Sequence, residues 1–247
     1  DHGDLLYSND VMLPQFFPNI GNGFLAYKIG DNYVFPDNNS SVGGLFIGGV
    51  FNGYNITSHR ARLPSLHNIQ INNKDIEYIG AAIDMSTGIF YNRTIIHSDE
   101  CNNVLVEQKM YAHRMYRSLL VFELNLTFLS NDTNTYKLLL KPLYQSYQKC
   151  TDYNFIELKE TNNTKLIKGT IKEAEIVDQS PQISISLYYD IIPLEILFTN
   201  KNNTYRALLV AHTDIEEEIS GDGDDMINQS IRDYNTYKDY SIHELDS

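Results

Sequence analysis

The sequence predicts an all-β fold, a large antiparallel β-sandwich followed by a C-terminal helix. Three features predict it. Apolar and polar residues alternate through many short runs, clusters of Asn, Asp, Ser and Gly separate the runs, and the period turns helical only near the end.

The strand candidates, in order, are Phe24–Ile29, Leu45–Phe51, Asn68–Asn72, Ile76–Asp84, Ile89–His97, Val104–His113, Leu119–Leu129, Tyr136–Pro142, Phe155–Lys159, Lys165–Ile171, Ile183–Asp190, Leu194–Thr199 and Tyr205–Thr213. In "NVLVEQKMYAH", Val104, Val106 and Met110 fall on one side, with Glu107 and Lys109 on the other. In "SLLVFELNLTFL", Leu120, Phe122, Leu124, Leu126 and Phe128 share one face, opposite Asn125 and Thr127. In "ISISLYYD", Ile183, Ile185 and Leu187 do the same. The breaks "INNKD", "STG", "SNDTN" and "KETNNT" are turn chemistry. No internal repeat is present. These runs make one β-sandwich domain, 1–213.

An acidic loop, 214–225, comes next. Its "DIEEEISGDGDD" holds seven carboxylates and reads as a solvated segment. A calcium loop starting at Asp222 fails on spacing, because its fifth position is Met226 and its sixth is not glycine. From 226 to 247, Ile227, Ile231, Tyr234, Ile242 and Leu245 recur at helical spacing, with Asp224 or Asp225 as the N-cap. The partner for that stripe is either the sandwich or something beyond Ser247.

The chain has 247 residues, 18 Tyr, 11 Phe and no Trp, with 19 basic against 32 acidic residues. A net charge of −13 argues against nucleic acid and against anionic membranes as partners. No apolar run is long enough to span a membrane.

N-x-[ST] sequons begin at Asn38, Asn39, Asn55, Asn92, Asn125, Asn131, Asn162, Asn202 and Asn228. Together they imply a glycoprotein that is secreted or lysosomal/vacuolar. The opening Asp1, in place of Met, reads as a processed end. In such a compartment a bridge between Cys101 and Cys150 is the simplest expectation, two buried thiols being the alternative. Two cysteines supply too few ligands for a metal site, and no metal or cofactor is expected.

No nucleophile elbow, zinc-protease motif or phosphate loop occurs. "GNG" at Gly21–Gly23 lacks dinucleotide spacing. Two basic clusters remain: His59, Arg60 and Arg62, and "YAHRMYR" with His113, Arg114 and Arg117. One reading makes them clamps that fork onto carboxylates and carbonyls and pin loops to the sandwich. The other has them line a polar surface for sugar hydroxyls or a partner domain.

Four segments, "GNGFLAY", "LFIGGVFNG", "SHRARLP" and "YAHRMYRSLLVFEL", resemble glycoside hydrolase family 65 in sequence and order. Within that family the likeness is to the acid trehalases and to the glucosidases of glucosylgalactosyl-hydroxylysine. It covers about residues 14–213 and, weakly, the terminal helix. It implies the family's N-terminal sandwich, with the terminal helix as a linker to an (α/α)6 barrel that carries the inverting catalytic acid. This sequence has no counterpart of that acid, so no catalytic residue is expected in it. On this resemblance Asn22, Asn52, His59, Arg60 and Arg62 face the barrel or rim the sugar pocket, and His113 and Arg114 clamp the structure.

The resulting expectation is the non-catalytic sandwich chain of an inverting α-glucosidase acting on trehalose or glucosyl-galactosyl-hydroxylysine. Its partners are a barrel chain from the same precursor and carbohydrate, with homo-oligomerisation left open. The alternative is a binding or storage glycoprotein that kept the fold and lost the chemistry. An autonomous carbohydrate-binding module would need an exposed aromatic platform.

Overall fold

The structure, a computed structural model, describes residues 5–8, 18–29, 44–54, 57–97, 103–129, 135–142, 150–175, 182–199, 202–216 and 223–240. The strands are β1 (Leu5–Ser8), β2 (Asn19–Gly21), β3 (Leu25–Lys28), β4 (Leu45–Ile47), β5 (Phe51–Asn52), β6 (His59–Arg60), β7 (Ile69–Ile71), β8 (Ile76–Asp84) and β9 (Ile89–Ile96). They continue with β10 (Val104–Ala112), β11 (Leu119–Phe128), β12 (Thr135–Pro142), β13 (Tyr153–Glu160), β14 (Thr164–Ile171), β15 (Ser184–Asp190), β16 (Glu195–Thr199) and β17 (Thr204–Thr213). One helix, α1 (Gly223–Lys238), follows.

Nine strands form one antiparallel sheet in the order β1-β8-β9-β10-β11-β17-β15-β14-β13. Three small sheets, β16-β12-β7, β2-β3-β4 and β5-β6, make the second layer. The period of two explains why the layers adhere. Val106 and Met110 of β10 stand opposite Leu126 and Phe122 of β11. They bury with Ile185, Leu187 and Leu209 against Leu25, Leu45, Leu138 and Phe198 of the second layer.

The other face of the large sheet is buried too. Tyr111, Leu119, Val121, Leu166, Tyr188, Leu208 and Val210 lie under Tyr234 and Tyr237 of α1. The sandwich itself therefore receives the helix. Its contact line runs through Met226, Ser230, Tyr234 and Tyr237, all buried. The helix begins at Gly223, so Asp224 and Asp225 lie inside its first turn, where their charge suits the helix dipole, and neither is the N-cap. Ile242 and Leu245 lie outside the described residues.

One charged pair and one half-buried carboxylate brace this outer face. Glu123, with no exposed surface, accepts a hydrogen bond from Arg206 Nε at 2.9 Å, and Arg206 Nη1 donates to Tyr240 O at 3.1 Å. Asp190 accepts from Tyr234 Oη at 2.5 Å and from Leu208 N at 2.8 Å. Burial raises the Asp190 carboxyl above its usual range, against the lowering effect of these two bonds.

The predicted strand Leu45–Phe51 is in fact two strands. Gly49 takes φ 79° and a turn closes there, with Val50 N donating to Ile47 O. β1, β2 and β6 were not predicted. No helix of the described residues is long and apolar enough to cross a membrane.

Candidate functional site at one end of the sandwich

One end of the large sheet collects the β8–β9 turn, the β10–β11 turn, the exit of β17, the start of β13 and the end of β14. Most of the basic residues singled out in the sequence meet here. Gly53 sets the first loop. It has φ 95°, and a Cβ there would stand 2.5 Å from Thr57 O. The tight turn lets Asn52, which is buried, accept a hydrogen bond from Glu173 N at the end of β14.

His59 is held on both sides. Its Nδ1–H donates to Thr57 O at 2.8 Å, and its Nε2 lies 3.2 Å from Asp152 Oδ2. The same carboxylate oxygen accepts from Arg62 N at 2.7 Å, and Asp152 Oδ1 accepts from Thr151 Oγ1. Asp152 is buried, while the side chains of Arg60 and Arg62 reach into solvent.

Asn22 bonds across to the β10–β11 turn. Its Nδ2 donates to His113 O at 2.8 Å and Arg117 O at 3.0 Å, and its Oδ1 accepts from Phe24 N and Leu25 N. Buried His113 closes that turn, with Nδ1 accepting from Met115 N and Tyr116 N. Arg114 Nη2 donates to Ser86 O of the β8–β9 turn. The Arg117 guanidinium lies 5.3 Å from the Phe24 ring centroid and pairs with Glu216 at 3.0 Å.

Glu216 leads to a second cluster beside α1. His212 Nδ1 lies 3.2 Å from Glu216 Oε1, and its Nε2 lies 2.9 Å from Asp233 Oδ2 of α1. These groups, with Arg117, Tyr116, Gln229 and Tyr237, line a cavity of about 300 Å³. Burial alone would lower the His212 imidazole, but the hydrogen bonds to Asp233 and Glu216 outweigh it and raise it. Burial likewise works against ionised Glu216, yet the bonds from His212 and Thr213 N hold its carboxyl below the usual range.

Apolar side chains stand exposed on the same loops: Tyr54, Met85, Met115 and Ile215. Met115 is the most open, at 78%. Among the described residues no group of three or more His, Cys, Asp or Glu side chains is placed to hold a metal ion.

The expected disulfide is corrected. Cys150 is a free thiol whose Sγ donates to Arg62 O at 3.1 Å, and Cys101 lies outside the described residues. Of the sequons, Asn38, Asn39, Asn55 and Asn131 also lie outside the described residues. Asn162 and Asn202 are exposed on turns at the opposite end of the sheet. Asn228 is exposed on α1. Asn125 is half-buried and accepts from Thr204 Oγ1. Asn92 does not suit a glycan in the folded chain, because it shares the inner face with Phe90, Thr94 and Ile96 and its carboxamide oxygen is buried.

Sequence reasoning missed Asp152, Glu216 and Asp233, the carboxylates on which these bases close. No spacing signal could have joined Asp152 to His59, since His59 stands on β6 and Asp152 just before β13, which meet only through the fold.

No protein-family model matches the chain. The protein-glucosylgalactosylhydroxylysine glucosidase of Dictyostelium discoideum is 30% identical over 165 residues, which are 64% of this chain and 22% of that protein. A solved structure of a candidate kojibiose phosphorylase from the human microbiome superposes on 98% of this chain and 36% of its own, with a TM-score of 0.64 and 8% identity. The chain thus spans under a quarter of the curated relative and about a third of the structural neighbour.

Proposed function

We propose that the chain is of the glycoside hydrolase family 65 type and forms the non-catalytic sandwich of an inverting α-glucosidase, a reading supported by its likeness to the curated relative and to the structural neighbour. It packs on an (α/α)6 catalytic barrel, carried by the same polypeptide or by a separate chain of one precursor. There it completes the rim of the sugar pocket. The substrate is trehalose or a glucosyl-galactosyl unit on hydroxylysine, the second supported by the name of the curated relative. The sequons support a secreted or lysosomal setting.

One observation carries this reading: exposed Tyr54, Met85, Met115 and Ile215 share a single end with the basic side chains of His59, Arg60, Arg62 and Arg114. Apolar side chains left in water beside a charged rim mark a docking surface.

A second consideration concerns the chemistry. Glycoside hydrolysis needs a carboxylic acid kept protonated, facing a second carboxylate across the sugar. Glu216 at this end is pushed the other way, and Asp152 is tied to His59, Arg62 N and Thr151.

The test is glucose release from trehalose and from glucosyl-galactosyl-hydroxylysine, by the chain alone and together with the barrel of its precursor. Activity is expected only with both. Met115→Glu should leave stability within about 0.5 kcal/mol and weaken association with the barrel about tenfold. Hydrolysis by the chain alone would sink the proposal. Failure to associate with the barrel would leave a binding glycoprotein in its place.

A further inference from the structure

We infer that His212 is a pH-dependent latch: it fixes α1 to the outer face of the nine-stranded sheet in mildly acidic medium and releases the helix as the medium turns alkaline.

The geometry is that of a bridge. His212 stands on β17, Glu216 on the loop that leaves it, and Asp233 on α1. Both ring nitrogens face carboxylates, so only the imidazolium can donate to both. A neutral ring donates from one nitrogen and turns a lone pair toward the other carboxylate.

The surrounding charges sharpen the effect. Arg117 and Tyr116 of the β10–β11 turn, Glu216 of the β17 exit, and Asp233 and Tyr237 of α1 line the cavity with His212. Tyr237 stays a neutral phenol, pushed up to about 12 mainly by burial. With His212 charged, two cations meet two carboxylates. With His212 neutral, one of the two cations is gone, and two carboxylates remain against the charge of Arg117, which pairs with Glu216. The helix then loses the charged contact that Asp233 makes. The cavity opens the imidazole to solvent protons.

Elsewhere α1 is held by contacts toward its C-terminal half, chiefly Tyr234 on Asp190 and Arg206 on Tyr240 O. The latch contact, Asp233, stands beside Tyr234 on the turns that line the cavity with Gln229 and Tyr237, and those turns are the part it governs.

The sign follows from the two shifts. His212 is raised, so its contribution is present below the ordinary histidine range and is lost as pH rises through its folded value. Glu216 is lowered, so its contribution is present above the ordinary glutamate range and is lost as pH falls through its depressed value. The latch is therefore tightest between them, in mild acid.

Hydrogen exchange of the full chain tests this, corrected for intrinsic rates, at about pH 5 and about pH 8. Protection of α1 should fall about tenfold for each pKa unit by which His212 is raised, while that of β10 and β11 stays level. His212→Gln should abolish the pH dependence. If it does not fold, Asp233→Asn removes the helix-side partner and serves the same purpose. Equal α1 protection at both pH values in the unaltered chain overturns the inference, as does an unchanged pH dependence in either variant. The result does not depend on whether a barrel is the partner.

Discussion

Asp152 Oδ2 lies 3.2 Å from His59 Nε2 and 2.7 Å from Arg62 N, so one buried carboxylate fixes both ends of the loop that carries the basic cluster. Asp152→Ala removes the acceptor and leaves the Arg62 amide unpaired. The expected loss is about 1–3 kcal/mol, read as a lower urea midpoint. A midpoint equal to that of the unaltered chain would mean that solvent replaces the carboxylate at no cost.

Gly53→Ala tests the turn before that loop. The residue needs φ 95°, and the new methyl would meet Thr57 O. A loss on the order of 1–3 kcal/mol is expected. Gly88 offers the control, since it has φ 72° but nothing within 4 Å of its Cβ position. Gly88→Ala should cost less than Gly53→Ala in the same denaturation experiment.

His67 gives the whole sandwich an acid sensitivity. It is wholly buried, and burial pushes its imidazole down to about 4 although its bond to Asp190 O acts the other way. Between the ordinary histidine value of 6.5 and about 4, the unfolded chain takes a proton that the folded chain refuses. Stability therefore falls as pH drops through that window and levels off below it, by an amount on the order of 3 kcal/mol. His67→Gln should flatten this slope in a series of denaturant midpoints, whatever its effect on absolute stability. An equal slope in the variant would assign the acid loss to other groups. Its sign is opposite to that of the His212 latch, so the two histidines' contributions to global stability oppose one another.

The sequons divide by position. Expressed through a secretory route, the chain should carry glycan on Asn162 and Asn202, which are exposed on turns. Asn92 should stay bare, since it sits on the inner face. Glycopeptide mass spectrometry decides between them, and sugar on Asn92 would contradict the strand register described for β9.

The long strands were legible because alternation survives wherever one face is wet or one residue type dominates. β8 occupies the predicted Ile76–Asp84. The short strands were not. β6 is only His59–Arg60, two polar residues with no period to read. Burial of both sheet faces was half-visible. "SLLVFEL" puts Leu119 and Val121 on the face opposite Leu120 and Phe122, with the charge of Glu123 on the Leu119 side. Its burial depends on Arg206, far along the chain, and on the helix above both. The basic cluster was visible as a cluster, but its carboxylates were not, because they arrive from separate loops by way of the topology.

The absence of tryptophan acquires a use here. All intrinsic emission comes from tyrosine, and α1 docks through tyrosines. Tyr234 stacks on Tyr188 at 4.2 Å, and Tyr237 packs on Tyr116 at 4.7 Å. Tyr234 also hands its hydroxyl hydrogen toward the Asp190 carboxylate, a proton acceptor of the kind that drains an excited phenol. A seated helix keeps that fluorophore dark, and one that lifts away lets it brighten. The protein carries an optical gauge of its own helix, readable without any label.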